Sequence, residues 1–453
     1  MALAHLPNEI FDDIIGLVLP EGFEALALSC KSIYKLSTPF IERHHKFRLR
    51  FQKFRYMEIP RDSFDIRTAL DLITCIAFEP MAARYIRTAE LKHDSFPHRA
   101  RFAPQHLPDI HGGGPVVNLF ASSPYLKQAG LDWKDMLLPN AKTLSLPRLW
   151  RPVDTTNKLI DAVVQETKQL HVSFNRPNLA QVTRFESLFK FGLRGAGWRG
   201  SNPFLALPSM RSFRGRSCEV LGQGHMGTTS TIPYRFLGET LETAHLLQCC
   251  IDDLAIADFL KHTPRLKTLK YSHFKADSRD WNICKFVTAI GREAGDHLIE
   301  LSVSIWEVRG KIIPGKASMH DFRCLQRLQL PFELVMCNVY AAACEARVGY
   351  IADRQLDYFG SFVSDLIPIS VSHLSLLAGK TEEHENALER MFRHFQAKKD
   401  TQFPALKELH LSYSSPADKD ERARLLKGIK KVGVSLHLDA SPSHVGMKWE
   451  GNW

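Results

Sequence analysis

Apolar residues recur along this chain with two periods, and the change of period divides it. Over 7–19 they return every three or four residues (Ile10, Phe11, Ile14, Ile15, Val18), with Asp12 and Asp13 between them, which is the pattern of a half-buried helix. Pro7 suits a first helical turn, where its missing N–H would go unused, and Glu9 suits the positive end of the dipole. Pro20 and Gly22 break the pattern. A second amphipathic stretch is then predicted over 23–36, with Leu26, Cys30 and Ile33 on one face, and a turn at Ser37-Thr38-Pro39 closes the unit. A module of about forty residues buries too little apolar surface to stand alone, so it must dock on a partner, on the rest of the chain, or on both.

Beyond residue 80 the spacing shortens to apolar, two residues, apolar, one residue, apolar. It occurs at Ala141-Leu144-Leu146, Leu266-Leu269-Tyr271, Leu298-Leu301-Val303, Leu325-Leu328-Leu330, Val371-Leu374-Leu376 and Leu406-Leu409-Leu411, with looser copies starting at Ile86, Thr167, Met210 and Leu241. Pro139, Pro208, Pro264 and Pro404 each lead a Pro-x-apolar-basic-x-apolar run, where composition would supply about one. Proline is read as ending a helix before a short strand with alternate side chains inward. Helical spacing over 251–261, 282–294 and 382–398 supplies the other half of each unit. A chain that repeats strand and helix is expected to be α/β, its strands stacked side by side as a solenoid or joined in a single parallel sheet.

Composition changes little in this picture. A chain of 453 residues with 44% hydrophobic and 24% charged positions folds and buries a core. Nine scattered cysteines, an odd number, point to free thiols and a reducing compartment, cytosol or nucleus. Neither a signal peptide nor a membrane span is expected. The net charge of +10 is partly local: Arg43, Lys46, Arg48, Arg50, Lys53 and Arg55 alternate with His44, His45, Phe47, Phe51 and Phe54. The favoured reading is a basic helix face whose aromatics pack inward, and nucleic acid is not expected as a partner.

The first forty residues resemble the F-box in its common fungal form. The resemblance rests on Leu6-Pro7-x-Glu9-Ile10, the spaced Ile14 and Leu26, and Leu28-x-Cys30-Lys31-x-x-Tyr34; Phe40 or Phe47 stands in for a tryptophan many F-boxes carry. The later pattern resembles the leucine-rich repeat found behind F-boxes, though the Asn or Cys that closes a typical repeat is present only at Asn175 and Cys249. The resemblance implies an α/β fold in which small N-terminal all-α helices precede an irregular leucine-rich-repeat-like solenoid with a parallel sheet on its concave face. It also implies a Skp-type adaptor and cullin ligase core as partners, with Leu6, Pro7, Ile10, Ile14, Val18, Leu26 and Ile33 at the adaptor, and a protein substrate held by the repeats. The expected boundaries are an F-box-like module at 1–45, a basic and aromatic linker at 46–85, repeats at 86–438 and a tail at 439–453. Insertions rich in Pro and Gly fall near 95–117 and 192–234. The alternative is a repeat scaffold unconnected with ubiquitin, its N-terminal helices merely capping the array.

Chemical motifs are sparse. Gly222-x-Gly224-x-x-Gly227 has dinucleotide spacing, but β-branched residues and Pro233 follow where a helix should start. The chain has no Cys-x-x-Cys, P-loop or Gly-x-Ser-x-Gly, and His384-Glu385 lacks a second histidine at zincin spacing. No catalytic residue, cofactor or metal is therefore expected. The candidate surface is the polar residues flanking each central strand position: Thr143 and Ser145, Gln169 and His171, Thr268 and Lys270, Glu300 and Ser302, Arg327 and Gln329, His373 and Ser375, Glu408 and His410. Of these, His171, Lys270, Arg327, His373 and His410 are the candidate substrate contacts.

Overall fold

The computed structural model describes residues 6–55, 79, 81–90, 140–146, 164, 167, 179–188, 202–220, 238–275, 280–308, 310–337, 366–377, 395–412, 429 and 431–439. The chain forms two compact units, Met1–Leu188 with Leu207–Met210, and Phe189–Ala206 with Arg211–Trp453. Both are α/β with parallel strands.

In the first unit, α1 (Asn8–Val18) begins where the sequence predicts, with the Phe11 N–H donating to the Pro7 carbonyl at 3.0 Å. Phe11, Ile15 and Leu19, four residues apart, turn inward. The predicted second helix is instead two, α2 (Phe23–Ala27) and α3 (Lys31–Phe51), and Pro39 lies inside α3 rather than closing a turn. A proline in a helix interior costs about 3 kcal/mol. The continued stripe of Ile33, Ser37, Phe40, Ile41, His44, Phe47 and Phe51, buried or packed on one core, offsets that cost. The same core takes Ala82, Ala83 and Tyr85 from α4 (Met81–Tyr85) and then Ile86, so α3 runs through the expected boundary at residue 45 and the helical unit extends to Ile86. His44 Nδ1 is 2.9 Å from the Tyr85 hydroxyl, and the Arg84 guanidinium donates to the carbonyls of Gly16 and Leu17, capping the negative end of α1.

The first unit's strands are β1 (Lys53–Arg55), β2 (Thr88–Glu90), β3 (Thr143–Leu146) and β4 (Arg184–Leu188), paired in that order, all parallel. The ladder thus starts at residue 53, within the expected linker. Thr167, expected to open a strand, is helical, and β3 pairs directly with β4; Val182 ahead of β4 and Phe185 and Ser187 within it are buried, with the serine in the third apolar place.

In the second unit a short helix α5 (Asn202–Leu205) precedes β5 (Ser212–Arg216) and β6 (Glu219–Val220), so the segment expected as a Pro/Gly insertion contributes strands. There follow β7 (Thr243–Ile251), α6 (Asp253–Lys261), β8 (Thr268–Lys275), α7 (Ile283–Ala294), β9 (Glu300–Val308), β10 (Arg327–Pro331), β11 (His373–Leu377), α8 (Phe395–Gln402), β12 (Glu408–Ser412) and β13 (Ser435–Asp439). Neighbours run β5-β7-β8-β9-β10-β11-β12-β13, with β6 beside β7. β13 reaches one residue into the expected tail. The insertion near 95–117 and Gly222, Gly224 and Gly227 lie outside the described residues.

Register makes the sheet a stack of equivalent positions. Leu269, Leu301, Leu328, Leu374, Leu409 and Leu436 are successive Cα partners, and Leu330, Leu376, Leu411 and Leu438 form a parallel row. The leading proline has a defined place. Pro264 and Pro404 occupy the second position of tight turns, in which the Leu266 N–H reaches the Thr263 carbonyl and the Leu406 N–H the Phe403 carbonyl, each at 3.1 Å. The same bond precedes β7 and β11 without proline in that place, from Leu241 to Gly238 at 2.9 Å and from Val371 to Pro368 at 3.1 Å. Asp252 and Asn282 are N-caps whose side chains accept from the Ala255 and Lys285 N–H groups at 2.8 and 2.9 Å.

Tyr271 fills an apolar place in β8 yet carries a hydroxyl. That oxygen accepts from the Ile251 N–H at 3.2 Å, donates to the Cys249 carbonyl at 3.1 Å and lies 2.7 Å from His273 Nδ1. Its ring packs on Phe286 at 4.5 Å, and His273 stacks on Trp281 at 3.6 Å. Tyr271→Phe keeps the packing but removes the acceptor for a buried N–H, so it is expected to destabilise the unit by about 1–3 kcal/mol in urea unfolding. A cost near zero would mean that the hydroxyl is dispensable.

Candidate functional site

Two surfaces stand out, one in each unit. In the first unit the core consumes only part of the apolar sequence. Leu6, Ile10, Leu17, Leu28, Tyr34 and Leu49 remain exposed, Leu17 at 78% and Leu28 at 76%. Ile10, Ile14 and Leu17 share one side of α1 at helical spacing, away from Phe11, Ile15 and Leu19. Of the residues expected at a partner, Leu6, Pro7 and Ile10 are exposed and Ile14 is half-buried. Val18 and Leu26 lean on the unit's own core, and Ile33, 4% exposed, lies inside it and is a packing residue. Leu17 and Leu28 were missed because period alone does not say which of two apolar stripes faces inward.

Within α3 the aromatics of the basic segment turn inward, Phe51 buried and Phe47 packed on the same core. Arg43 Nη2 donates to both carboxylate oxygens of Glu79, at 2.9 and 2.8 Å, Arg48 pairs with Glu24, and Phe47 packs edge-on to Phe51 and Tyr85. Burial lowers the His44 pKa against the opposing pull of Glu24.

In the second unit the residues flanking the central leucines form two rows across the strands. One runs Thr243, Thr268, Glu300, Arg327, His373, Glu408, Ser435, and the other His245, Lys270, Ser302, Gln329, Ser375, His410, His437. The candidates Lys270, Arg327, His373 and His410 are therefore brought onto one face by register, whereas His171 lies outside the described residues. Arg327 is exposed, while Lys270, His373 and His410 are half-buried. Ser302 is buried and so belongs less to the surface than its place in the row suggests.

Charges along the rows are paired in sequence. Lys270 Nζ is 2.8 Å from Glu300 Oε1, and Arg327 Nη1 is 3.8 Å from Glu300 Oε2. His373 Nε2 and His410 Nε2 approach the two oxygens of Glu408 at 3.5 and 3.6 Å. Burial, with Lys270 and Arg214 adding to it, pulls the His245 pKa down to about 3, so a neutral imidazole sits among cations at neutral pH. Exposed pairs of this kind contribute roughly 0–1 kcal/mol each, so their weight lies in the pattern of charge they offer a partner.

Glu408, His410 and His437 also converge, with potential metal-ligating atoms all within 4.8 Å of one another. The members of this group meet across two strands, so no ligand spacing along the chain reveals it. No helix among the described residues is long and apolar enough to cross a membrane. Comparison with known proteins finds no family model and no curated sequence that matches this chain.

Proposed function

We propose that this chain is the substrate-recognition subunit of a Skp/cullin/F-box type ubiquitin ligase, working in cytosol or nucleus. The observation that carries the reading is the apolar set Leu6, Ile10, Leu17 and Leu28, left outside a helical unit whose own core is already filled. Large apolar side chains held in water across one small unit favour a permanent partner. The short N-terminal helices take the role of the F-box, docking on the Skp-type adaptor. The register of leucines, with a tight turn before β7, β8, β11 and β12, supports a leucine-rich-repeat-like body whose polar rows hold a target protein. The chain's catalytic contribution is proximity, the target's lysines being held near a conjugating enzyme bound elsewhere on the complex.

Full-length protein co-expressed with a Skp-type adaptor should co-purify with it in a fixed ratio, and Leu6→Ala with Pro7→Ala should weaken the complex while the melting curve stays unchanged. A double variant that binds as well as wild type, or a wild type that does not bind, overturns the reading.

One observation favours the scaffold alternative, in which the helices only cap the array. α3 crosses residue 45 and shares a core with Tyr85 and Ile86, so the helices are integral to the unit that carries β1 and β2. Deleting residues 1–45 would unfold that unit under either reading. Point changes at exposed positions separate the two, because the scaffold makes no use of the adaptor.

A further inference from the structure

We propose that Glu408, His410 and His437 form a binding site for a divalent transition metal ion of the zinc class, on the polar face of β12 and β13. Parallel register makes His410 and His437 Cα partners, and Glu408 precedes His410 by two residues on the same face. The two imidazole rings lie face to face at 4.3 Å, tilted by only 11°. So placed, each ring can turn one nitrogen toward a shared ion.

Distances support the assignment. Zinc–nitrogen bonds of about 2.0–2.1 Å in a tetrahedron need ligand nitrogens roughly 3.3 Å apart. The donor atoms here lie within 4.8 Å, and His410 Nε2 is 3.6 Å from Glu408 Oε2, so small side-chain rotations close the set. Two imidazoles and one carboxylate suit zinc and its neighbours, whereas calcium and magnesium take oxygen ligands. The other oxygen of Glu408 lies 3.5 Å from His373 Nε2, and His373 Nδ1 is 2.7 Å from Ser372 Oγ, so the carboxylate is oriented from β11 as well. Three protein ligands leave a fourth position for water or for a side chain of a bound partner. His410 and Glu408 are half-buried and His437 is exposed, which leaves the ion accessible from solvent.

The test uses the full chain, freed of metal by a chelator and kept reduced. Cobalt(II) is titrated and followed by its visible absorption, then displaced with zinc. The expected result is a single tetrahedral ion per chain without thiolate charge-transfer bands, its affinity lowered tenfold or more in His437→Ala and in Glu408→Gln. Unchanged melting curves of the metal-free variants would show that the fold is intact. Absence of a tetrahedral cobalt spectrum in the wild type, a thiolate spectrum, or equal binding by wild type and His437→Ala overturns the proposal.

Discussion

Leu301→Ala is expected to destabilise the second unit by about 2–5 kcal/mol, the range for removing a buried leucine from a close-packed core. Leu301 is fully buried, with Leu269 and Leu328 as its strand partners on either side. Truncation opens a cavity in the middle of a row rather than at its end, where neighbouring side chains could collapse. Urea unfolding of the full chain, with Arg327→Ala as a control, measures the effect. Arg327 is one strand away on the exposed face, and its truncation should change stability by no more than about 0.5 kcal/mol. A loss below about 1 kcal/mol for Leu301→Ala would mean that the row is not a packed core.

Ile10→Asp combined with Leu28→Asp should abolish adaptor binding, weakening it by more than a hundredfold, about 2.7 kcal/mol. Docking that buries a large apolar side chain gains about 1.5–3 kcal/mol, and a carboxylate in its place adds a desolvation cost. Both positions are exposed in the free chain, so the helical circular dichroism and melting curve should not move. Ile33→Asp is the contrast: it places a charge in the core and should unfold the first unit. If the exposed double variant still captures the adaptor, the apolar set has another purpose.

Legibility in the sequence followed the range of the physics. α1, α6 and α7 were readable because caps, breakers and apolar period all lie within one stretch. Six strands were readable from the apolar spacing, and at β8, β11 and β12 a leading turn coincides with it. α3 was cut short by trusting Pro39 over the apolar stripe that continues past it to Phe51, a case of tertiary packing overriding a local breaker. β4 escaped because Ser187, fully buried, stands where the pattern demands an apolar residue. β13 escaped because Gly433, at φ +73°, lengthens the step between its turn and Leu436 by one residue. Four of the five candidate substrate contacts followed from strand alternation, yet the convergence of Glu408 with His410 and His437 did not, because register between strands is a tertiary fact.

The tight turn before β7, β8, β11 and β12 has a consequence for how such a chain diversifies. Each of these strands is phased by its own local hydrogen bond, not by the length of the chain leading into it. The connections can lengthen or shorten without shifting a leucine out of line. The polar positions on these strands then keep fixed addresses, and single substitutions can change the side chains they present while the frame stays still.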